Sequence, residues 1–275
     1  FGKQVVGIMD KAGNGPIEME TTAAMPYRQA INKNTERQIL YVTGPSGSGK
    51  SWFTKQFIED YHKAYPKRPV YVFSALTCCA TLDKLKYLKR IKIKESKFLG
   101  MELNAIDFKN SLVKAKSLSF SCATLDKLKY LKRIKIKESK FLNMELNAMD
   151  FKDSLVIFDD CDCIVNKLMK EKVMDILNSI LETGRHESVS VVFTSHLATA
   201  GNMTKRILNE AHAIVIYPAN MGTRQLKYLL AEYLGFSKAE IKKVKKTNGR
   251  WCSINKTYPM TFFDEKTIHI KQIED

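Results

Sequence analysis

Residues 44–51 read GPSGSGKS and carry the residue types that bind a polyphosphate. The spacing matches G-x-x-x-x-G-K-[ST], and the segment lies between an apolar run and a helical pattern, which is the context this motif requires. Glycines let backbone N–H groups wrap phosphate oxygens, and the following helix adds the positive end of its dipole. The motif therefore predicts a site for a nucleoside triphosphate with Mg²⁺, and ATP is the expected nucleotide.

The roles within this loop follow from the chemistry of each side chain. We expect Lys50 to neutralise the β- and γ-phosphates and the Ser51 hydroxyl to ligate Mg²⁺. The backbone of the loop and the first residues of the helix supply the remaining contacts. The predicted nucleotide-binding residues are Gly44, Pro45, Ser46, Gly47, Ser48, Gly49, Lys50, Ser51 and Trp52.

A second pattern is the apolar run 155–159, LVIFD, which is followed directly by Asp160. In P-loop enzymes an acid at the end of such a strand lies beside the Mg²⁺ ion, so Asp159 is the predicted metal residue together with Ser51. Asp160 occupies the next position, from which a carboxylate can polarise the attacking water, and it is the predicted base. Asp162 is expected to cap a helix or to lie at the surface.

The apolar run 189–194 ends at Ser195 and His196, where a polar side chain can contact the γ-phosphate or the attacking water. Both residues are candidates for this contact. His196 is preferred because a ring nitrogen can donate a hydrogen bond. A polar cap of the strand, without a catalytic role, is the alternative interpretation.

An arginine often stabilises the transition-state charge at such sites, in many cases from a neighbouring subunit. Arg185 is our first choice for this finger and Arg206 the second, while Arg224 and Arg250 are further options. For any one of them, a solvated or ion-paired side chain is the competing interpretation. The predicted catalytic set is therefore Asp160, Lys50, His196 and Arg185.

The elements that must position these residues alternate between short buried strands and helices. The predicted strands are 38–43, 69–74, 155–159, 189–194 and 213–217, and the predicted helices are 50–62, 166–183 and 204–211. This alternation predicts an α/β P-loop NTPase fold of the ASCE or RecA-like type, a parallel sheet with helices on both faces. Trp52 and Leu168 are expected on the inward faces of their helices.

Three regions follow from this pattern. Residues 1–35 form an N-terminal extension with a predicted edge strand at 3–9, and residues 36–235 form the P-loop ATPase domain. Residues 236–275 are predicted to be a small C-terminal appendage of a helix and a hairpin. In this appendage Ser237 and Glu240 have the spacing of a capping box, which predicts the start of a helix.

An internal duplication interrupts the central domain. Residues 79–113 recur as residues 122–156, and the copies differ only at Gly100/Asn143, Ile106/Met149 and Asn110/Asp153. Repeats that build solenoids need several copies, so a single tandem copy indicates a recent duplication or a sequence-assembly error. Because only the second copy runs into the acidic strand end, segment 79–121 is predicted to be an insertion that the fold loops out. Residues 90–94 and 133–137 are predicted edge strands.

Composition narrows the class of protein and of partner. The chain has 275 residues and a formal net charge of +16, which favours a polyanion, DNA or RNA, as partner. Segment 79–121 carries ten basic and four acidic residues, so the basic character persists without it. Six cysteines without paired CxxC motifs indicate reduced thiols of an intracellular protein. No run of eighteen apolar residues occurs, so no membrane span is expected.

Longer runs carry a family resemblance. They are GPSGSGKS, PVYVFS, SLVIFDDCD, ETGRHESVSVVFTSHLATAG, RILNEAHAIVIYP and RQLKYLL. These runs resemble the poxvirus-type genome-packaging ATPases of large DNA viruses, within the FtsK–HerA superfamily, over most of residues 36–260. One departure is His196, which stands where FtsK–HerA motors often carry Gln.

The resemblance implies an ATP-hydrolysing motor that works as a homo-oligomeric ring and moves double-stranded DNA into a capsid. It further implies capsid or portal components as partners, and a location in the host cytoplasm, at a viral factory, or in the virion.

Two other functions stay open. A nucleotide kinase is one, because GPSGSGK also resembles guanylate-kinase loops, although the acid-terminated strand argues against it. A nucleotide-dependent assembly protein without turnover is the other.

Overall fold

A computed structural model describes residues 18–20, 28–29, 31, 37–74, 82, 85, 88–94, 134–143, 145–247 and 249–271. Within these ranges the centre of the molecule is one sheet of eleven strands, in the order β1-β11-β10-β9-β8-β2-β7-β6-β3-β4-β5. The strands are β1 Glu18–Glu20, β2 Ile39–Thr43, β3 Val70–Ser74, β4 Leu88–Lys94, β5 Ile134–Lys137, β6 Leu155–Asp159, β7 Ser190–Ser195, β8 Ala213–Ile216, β9 Cys252–Asn255, β10 Thr261–Phe263 and β11 Thr267–Ile270. The strand predicted at 3–9 lies outside the described residues.

Six α-helices lie within the described part of the chain and connect these strands. They are α1 Lys50–Ala64, α2 Glu138–Asn143, α3 Lys167–Thr183, α4 Asn202–Glu210, α5 Thr223–Lys227, which continues as a π-helix over Tyr228–Tyr233, and α6 Lys238–Lys245. Short 3₁₀ turns occupy Ala148–Phe151 and Cys161–Cys163. The capping box predicted at the start of α6 is confirmed, since the Ser237 and Glu240 side chains bond reciprocally to each other's backbone N–H groups. No helix in the described part of the chain is both long and apolar enough to cross a membrane.

Alternate residues of the inner strands face two separate hydrophobic cores. On β2, Ile39 and Tyr41 pack in the core that includes α3, whereas Leu40 and Val42 pack in the core that includes α1. All five residues of β2 are buried, as a parallel strand covered on both faces requires. The predicted α/β P-loop fold with helices on both faces is therefore confirmed, and β7 lies between the loop-bearing strand β2 and the acidic strand β6.

The C-terminal strands belong to the same sheet as the parallel strands. β9 pairs antiparallel with β8, with Cys252 opposite Ile216, and β10, β11 and β1 extend the sheet further. The predicted hairpin is thus the outer, antiparallel part of a mixed sheet and does not stand apart from it. This extension covers the edge of β8 that would otherwise expose unpaired backbone groups.

Two residues predicted to face inward lie at the surface. The Trp52 side chain is 50% exposed and the Leu168 side chain 61% exposed. In both helices the neighbouring residue is buried in its place, Phe53 in α1 and Met169 in α3. An apolar residue at the edge of a helical stripe satisfies the sequence periodicity equally well, so only the packing of the helix distinguishes the two positions.

The two copies of the repeat place equivalent strands side by side. β4 of the first copy pairs in parallel with β3, and β5 of the second copy pairs in parallel with β4. The register joins equivalent residues of the copies, because Ile91 is opposite Ile134 and Lys94 opposite Lys137. Both strands were predicted as edge strands, but β4 lies between β3 and β5, and only β5 is at the edge.

Among the described residues, the core contains side chains from the first half of one copy and from the second half of the other. From the first copy come the buried Leu82 and Leu85, and from the second come Phe141, Leu146 and Phe151. The prediction that segment 79–121 is looped out as a unit is therefore wrong, because its Leu88–Lys94 strand occupies the position next to β3. Within the described ranges, both copies therefore contribute to the fold.

Candidate nucleotide-binding and catalytic site

Three parallel strands bring the predicted site residues to one edge of the sheet. β2 ends at Thr43 before the glycine-rich loop, β6 ends at Asp159, and β7 ends at Ser195. Since Thr43 pairs with Ser195 across β2 and β7, these ends lie at the same level of the sheet. The carboxyl edge of a parallel sheet is where α/β folds bind their ligands.

The loop has the backbone that a phosphate requires. Gly47 has a φ of 74° and Gly49 a φ of 114°, in a region that side-chain-bearing residues rarely adopt. No acceptor within the described residues pairs with the backbone N–H groups of Ser46, Gly47, Gly49, Lys50 and Ser51. A row of unpaired N–H groups at the start of a 15-residue helix fits the oxygens of a polyphosphate.

A glycine is required at position 44 because a side chain there would collide with neighbouring atoms, and not because of the backbone dihedral angles. A Cβ on Gly44 would lie 2.8 Å from Cδ2 of Tyr217 and 2.9 Å from Oγ of Ser48. Tyr217 follows β8 and is buried against the loop. The sequence motif explains a glycine at this position, but it contains no signal for the tyrosine that excludes a larger residue.

Lys50 is the residue on which the site converges. Its side chain is almost fully buried, and Nζ donates to the carbonyl oxygen of Gly44 at 2.9 Å. The same Nζ lies 3.7 Å from Oδ1 of Asp160 and 3.3 Å from Nδ1 of His196. The P-loop cation, the predicted base and the predicted γ-phosphate contact are therefore in mutual contact, although they come from three separate segments of the chain.

His196 and Asp160 also contact each other directly. Nε2 of His196 lies 3.4 Å from Oδ2 of Asp160. A lysine Nζ can only donate, so Nδ1 of His196 accepts from Lys50, while Nε2 on the other side of the ring faces Asp160. The imidazole therefore lies between the Lys50 ammonium and the Asp160 carboxylate.

Asp159 is buried beneath this group, at 1% exposure. Its Oδ2 accepts from the Ser74 hydroxyl and its Oδ1 from the Thr194 hydroxyl, both at 3.3 Å. A carboxylate beside the loop, with the Ser51 hydroxyl in the first turn of α1, supplies the hard oxygen ligands that Mg²⁺ prefers. The donor set therefore fits Mg²⁺ carried in by a nucleotide.

The backbone of Asp160 is held in the left-handed region, with φ of 49° and ψ of 37°. Its N–H donates to Oγ1 of Thr194 at 2.8 Å, and that hydroxyl lies 3.1 Å from Oδ1 of the same aspartate. Non-glycine residues in this conformation cluster at functional sites, because the surrounding structure must hold them there. Thr194 holds Asp160 in this conformation through the bond to its backbone N–H. No sequence pattern selects Thr194, because it is simply the last residue of an apolar run.

Asp162 orients the end of β7. Its Oδ2 accepts from the Ser195 hydroxyl and from the backbone N–H of His196, both at 2.9 Å. The Ser195 hydroxyl is thereby directed to Asp162, which leaves His196 as the residue of this pair that faces Lys50. The expectation of a helix cap or surface acid at Asp162 is wrong, since Asn166 caps α3 and Asp162 is partly buried.

The first two candidate arginine fingers, Arg185 and Arg206, lie away from this edge within the chain. Arg185 is exposed in the turn between α3 and β7, at the amino edge of the parallel strands. Arg206 is in α4 and pairs with Glu182 at the end of α3. Neither is brought to Lys50 by its own chain, so a finger role for Arg185 or Arg206 requires a neighbouring copy and stays a prediction.

Comparison with known proteins gives one relative of substantial identity. The uncharacterized protein V3 of Sputnik virophage is 33% identical over 232 residues, which cover 83% of this chain and 75% of V3. No protein-family model matches the chain.

Similar folds occur among solved structures. The genome packaging NTPase B204 from Sulfolobus turreted icosahedral virus 2, in complex with AMP, has a TM-score of 0.44 and 15% identity, over 88% of this chain and 100% of B204. The cytoplasmic domain of the Type VII secretion ATPase EccC from Thermomonospora curvata has a TM-score of 0.46 and 11% identity, over 94% of this chain and 29% of that one. Family membership follows from the identity with V3.

Proposed function

This chain belongs to the family of protein V3 of Sputnik virophage, and we propose that it is an ATPase that moves double-stranded DNA during the packaging of a viral genome. The observation that carries the proposal is the contact of Asp160 and His196 with Nζ of Lys50. A P-loop that binds a nucleotide without hydrolysing it needs only the lysine. A carboxylate and an imidazole at the γ-phosphate end are the groups that hydrolysis needs.

Each residue of the site has a defined task in this reaction. The N–H groups of the loop bind the β- and γ-phosphates of ATP, and Lys50 neutralises their charge. Asp160 orients a water molecule toward the γ-phosphorus and takes its proton, while His196 donates a hydrogen bond from its ring to a γ-phosphate oxygen. Mg²⁺, when bound, neutralises the phosphate oxygens, and Ser51 and Asp159 would hold it.

The DNA part of the proposal is supported by charge and by the resemblance of the sequence to packaging motors. A formal charge of +16 attracts a phosphodiester backbone, and the salt dependence of such an attraction can be measured. We further propose a homo-oligomeric ring, in which a neighbouring copy supplies the arginine, and capsid or portal components as contacts. The proposed location is the viral factory in the host cytoplasm, or the virion.

Steady-state phosphate release, with and without double-stranded DNA, tests the proposal. We expect Mg²⁺-dependent ATP hydrolysis that DNA stimulates, and loss of nucleotide binding or turnover in Lys50→Ala. Transfer of the γ-phosphate to a nucleoside monophosphate would instead establish a kinase. Tight ATP binding without turnover in the presence of DNA would establish a nucleotide-dependent assembly protein and would overturn the motor.

A further inference from the structure

Two buried hydroxyls beside the glycine-rich loop have no hydrogen-bond partner among the described residues. They belong to Ser48 and Tyr217, which are 3% and 1% exposed. A buried hydroxyl that lacks a partner is unfavourable, and native proteins retain few of them. By contrast, the hydroxyls of Thr194 and Ser195 at the same edge of the sheet are both paired.

Tyr217 lies across the base of the loop. One edge of its ring, at Cδ2, is 2.8 Å from the position that a Cβ on Gly44 would take. At the other end, Cε1 and the hydroxyl oxygen are 3.4 Å and 3.8 Å from the corresponding position on Gly49. The ring therefore supports both glycines that frame the loop, and its hydroxyl ends beneath the start of α1.

Ser48 lies against the same support. Its Oγ is 2.9 Å from the Cβ position of Gly44, so the side chain folds under the loop and away from solvent. Burial raises the pKa of the Tyr217 phenol, which keeps that hydroxyl a donor across the neutral range. Two buried hydroxyls without partners thus lie against a loop in which several backbone N–H groups also lack an acceptor among the described residues.

The position of Tyr217 in the sheet shows which end of the nucleotide it serves. Asp160 and His196 follow β6 and β7, on one side of β2, and they mark the γ-phosphate end. Tyr217 follows β8, on the other side of β2. Its support therefore acts on the part of the loop that holds the α- and β-phosphates, which ATP and ADP share.

We propose that Tyr217 and Ser48 are positioning residues whose hydroxyls gain partners only when the loop closes on a nucleoside diphosphate or triphosphate. They act through the loop backbone, because both side chains are buried beneath it. The inference rests on the nucleotide site of the proposed function but not on hydrolysis or on DNA. Removing either hydroxyl should weaken ATP and ADP binding equally, and removing that of Tyr217 should leave the chemical step intact.

Tyr217→Phe and Ser48→Ala test this in the full chain, with Tyr61→Phe as the matched control. Tyr61 is also fully buried, but it lies in the fourth turn from the loop end of α1. We expect each test variant to raise the Kd for ADP and the KM for ATP roughly tenfold, and we expect kcat to be unchanged in Tyr217→Phe. The Tm without nucleotide should be unchanged or higher, because a buried unpaired hydroxyl has been removed.

Two outcomes would overturn the inference. One is wild-type Kd for ADP in both variants. The other is a lower Tm without nucleotide together with equal effects in Tyr61→Phe, which would indicate a packing role alone. If the wild-type chain binds ADP but hydrolyses no ATP, the motor proposal fails while the binding comparison remains valid, so the two failures are distinguishable.

Discussion

Nε2 of His196 lies 3.4 Å from Oδ2 of Asp160, and both side chains also contact Lys50. Two residues outside the phosphate loop and the acidic strand end hold Asp160 and His196 in position. Thr194 binds the backbone N–H of Asp160, and Asp162 binds the backbone N–H of His196. Asp160 and His196 are therefore held by a hydrogen-bonded network, as the proposed catalytic roles of the two residues require.

Replacing Asp160 with Asn removes the predicted base while preserving the size of the side chain. We expect ATP binding to persist and kcat to fall by about 10²- to 10⁴-fold, the range for loss of a general base. Equilibrium binding of ATP and single-turnover hydrolysis measure the two effects separately. Normal hydrolysis by this variant would mean that another group activates the water.

His196 and Ser195 differ in what they contact, which makes them a matched pair. His196→Ala removes the imidazole beside Lys50 and should lower kcat by about 10-fold or more, as loss of a transition-state donor does. Ser195→Ala removes a bond to Asp162 and should act more weakly, through the position of the β7 end. A larger defect in Ser195→Ala than in His196→Ala would reverse the assignment.

Gly44→Ala should destabilise the loop because the added methyl group meets Tyr217 and Ser48 at less than 3 Å. The expected loss is about 1–3 kcal/mol in the free energy of unfolding, with weaker nucleotide binding. Gly222→Ala is the control, since a Cβ on Gly222 has no neighbour within 4 Å. Urea denaturation of both variants measures the difference, and equal stabilities would contradict the contact.

The repeat permits a deletion with a single defined product. Residues 79–94 are identical to 122–137, so removing 79–121 or 95–137 yields the same polypeptide. We expect it to fold with one strand in the place of β4, to lack the edge strand β5, and to bind ATP. Circular dichroism and the ATP-induced shift in Tm test this, and an unfolded product would show that the second copy of the strand is needed.

His212 makes stability depend on pH. Its Nδ1 accepts the backbone N–H of Ile39 at 3.0 Å, and burial, with added repulsion from Arg37 and Lys256, lowers the pKa of the imidazole. A lowered folded-state pKa means that the neutral ring stabilises the fold above its unfolded value of about 6.5, and this stability is lost as pH falls through the folded value. We expect Tm to fall more between pH 7.5 and 5 in the wild type than in His212→Asn. Parallel slopes would exclude His212 as the cause.

Short-range patterns were sufficient for the elements and for the phosphate loop. The strand at Leu155–Asp159 was predicted residue for residue, and the cap at Ser237 was predicted from two residues three positions apart. These signals are local, because burial on both faces of a strand and capping of a helix each depend on adjacent residues. The predictions that Trp52 and Leu168 face inward were wrong because the signal is local: periodicity cannot tell the middle of an apolar stripe from its edge.

By itself the sequence determined the P-loop, the acidic strand end and the order of strands and helices, because each is encoded in contiguous residues. Tertiary structure alone decided that His196 rather than Ser195 faces Lys50, that Thr194 and Asp162 hold the site, and that Tyr217 supports Gly44. It also decided that β4 of the first copy and β5 of the second lie side by side in the sheet, with Phe141 and Phe151 of the second copy in the core. The reason is the same in each case: these contacts join residues far apart in the chain, and identical segments carry no local signal of which will pair with β3.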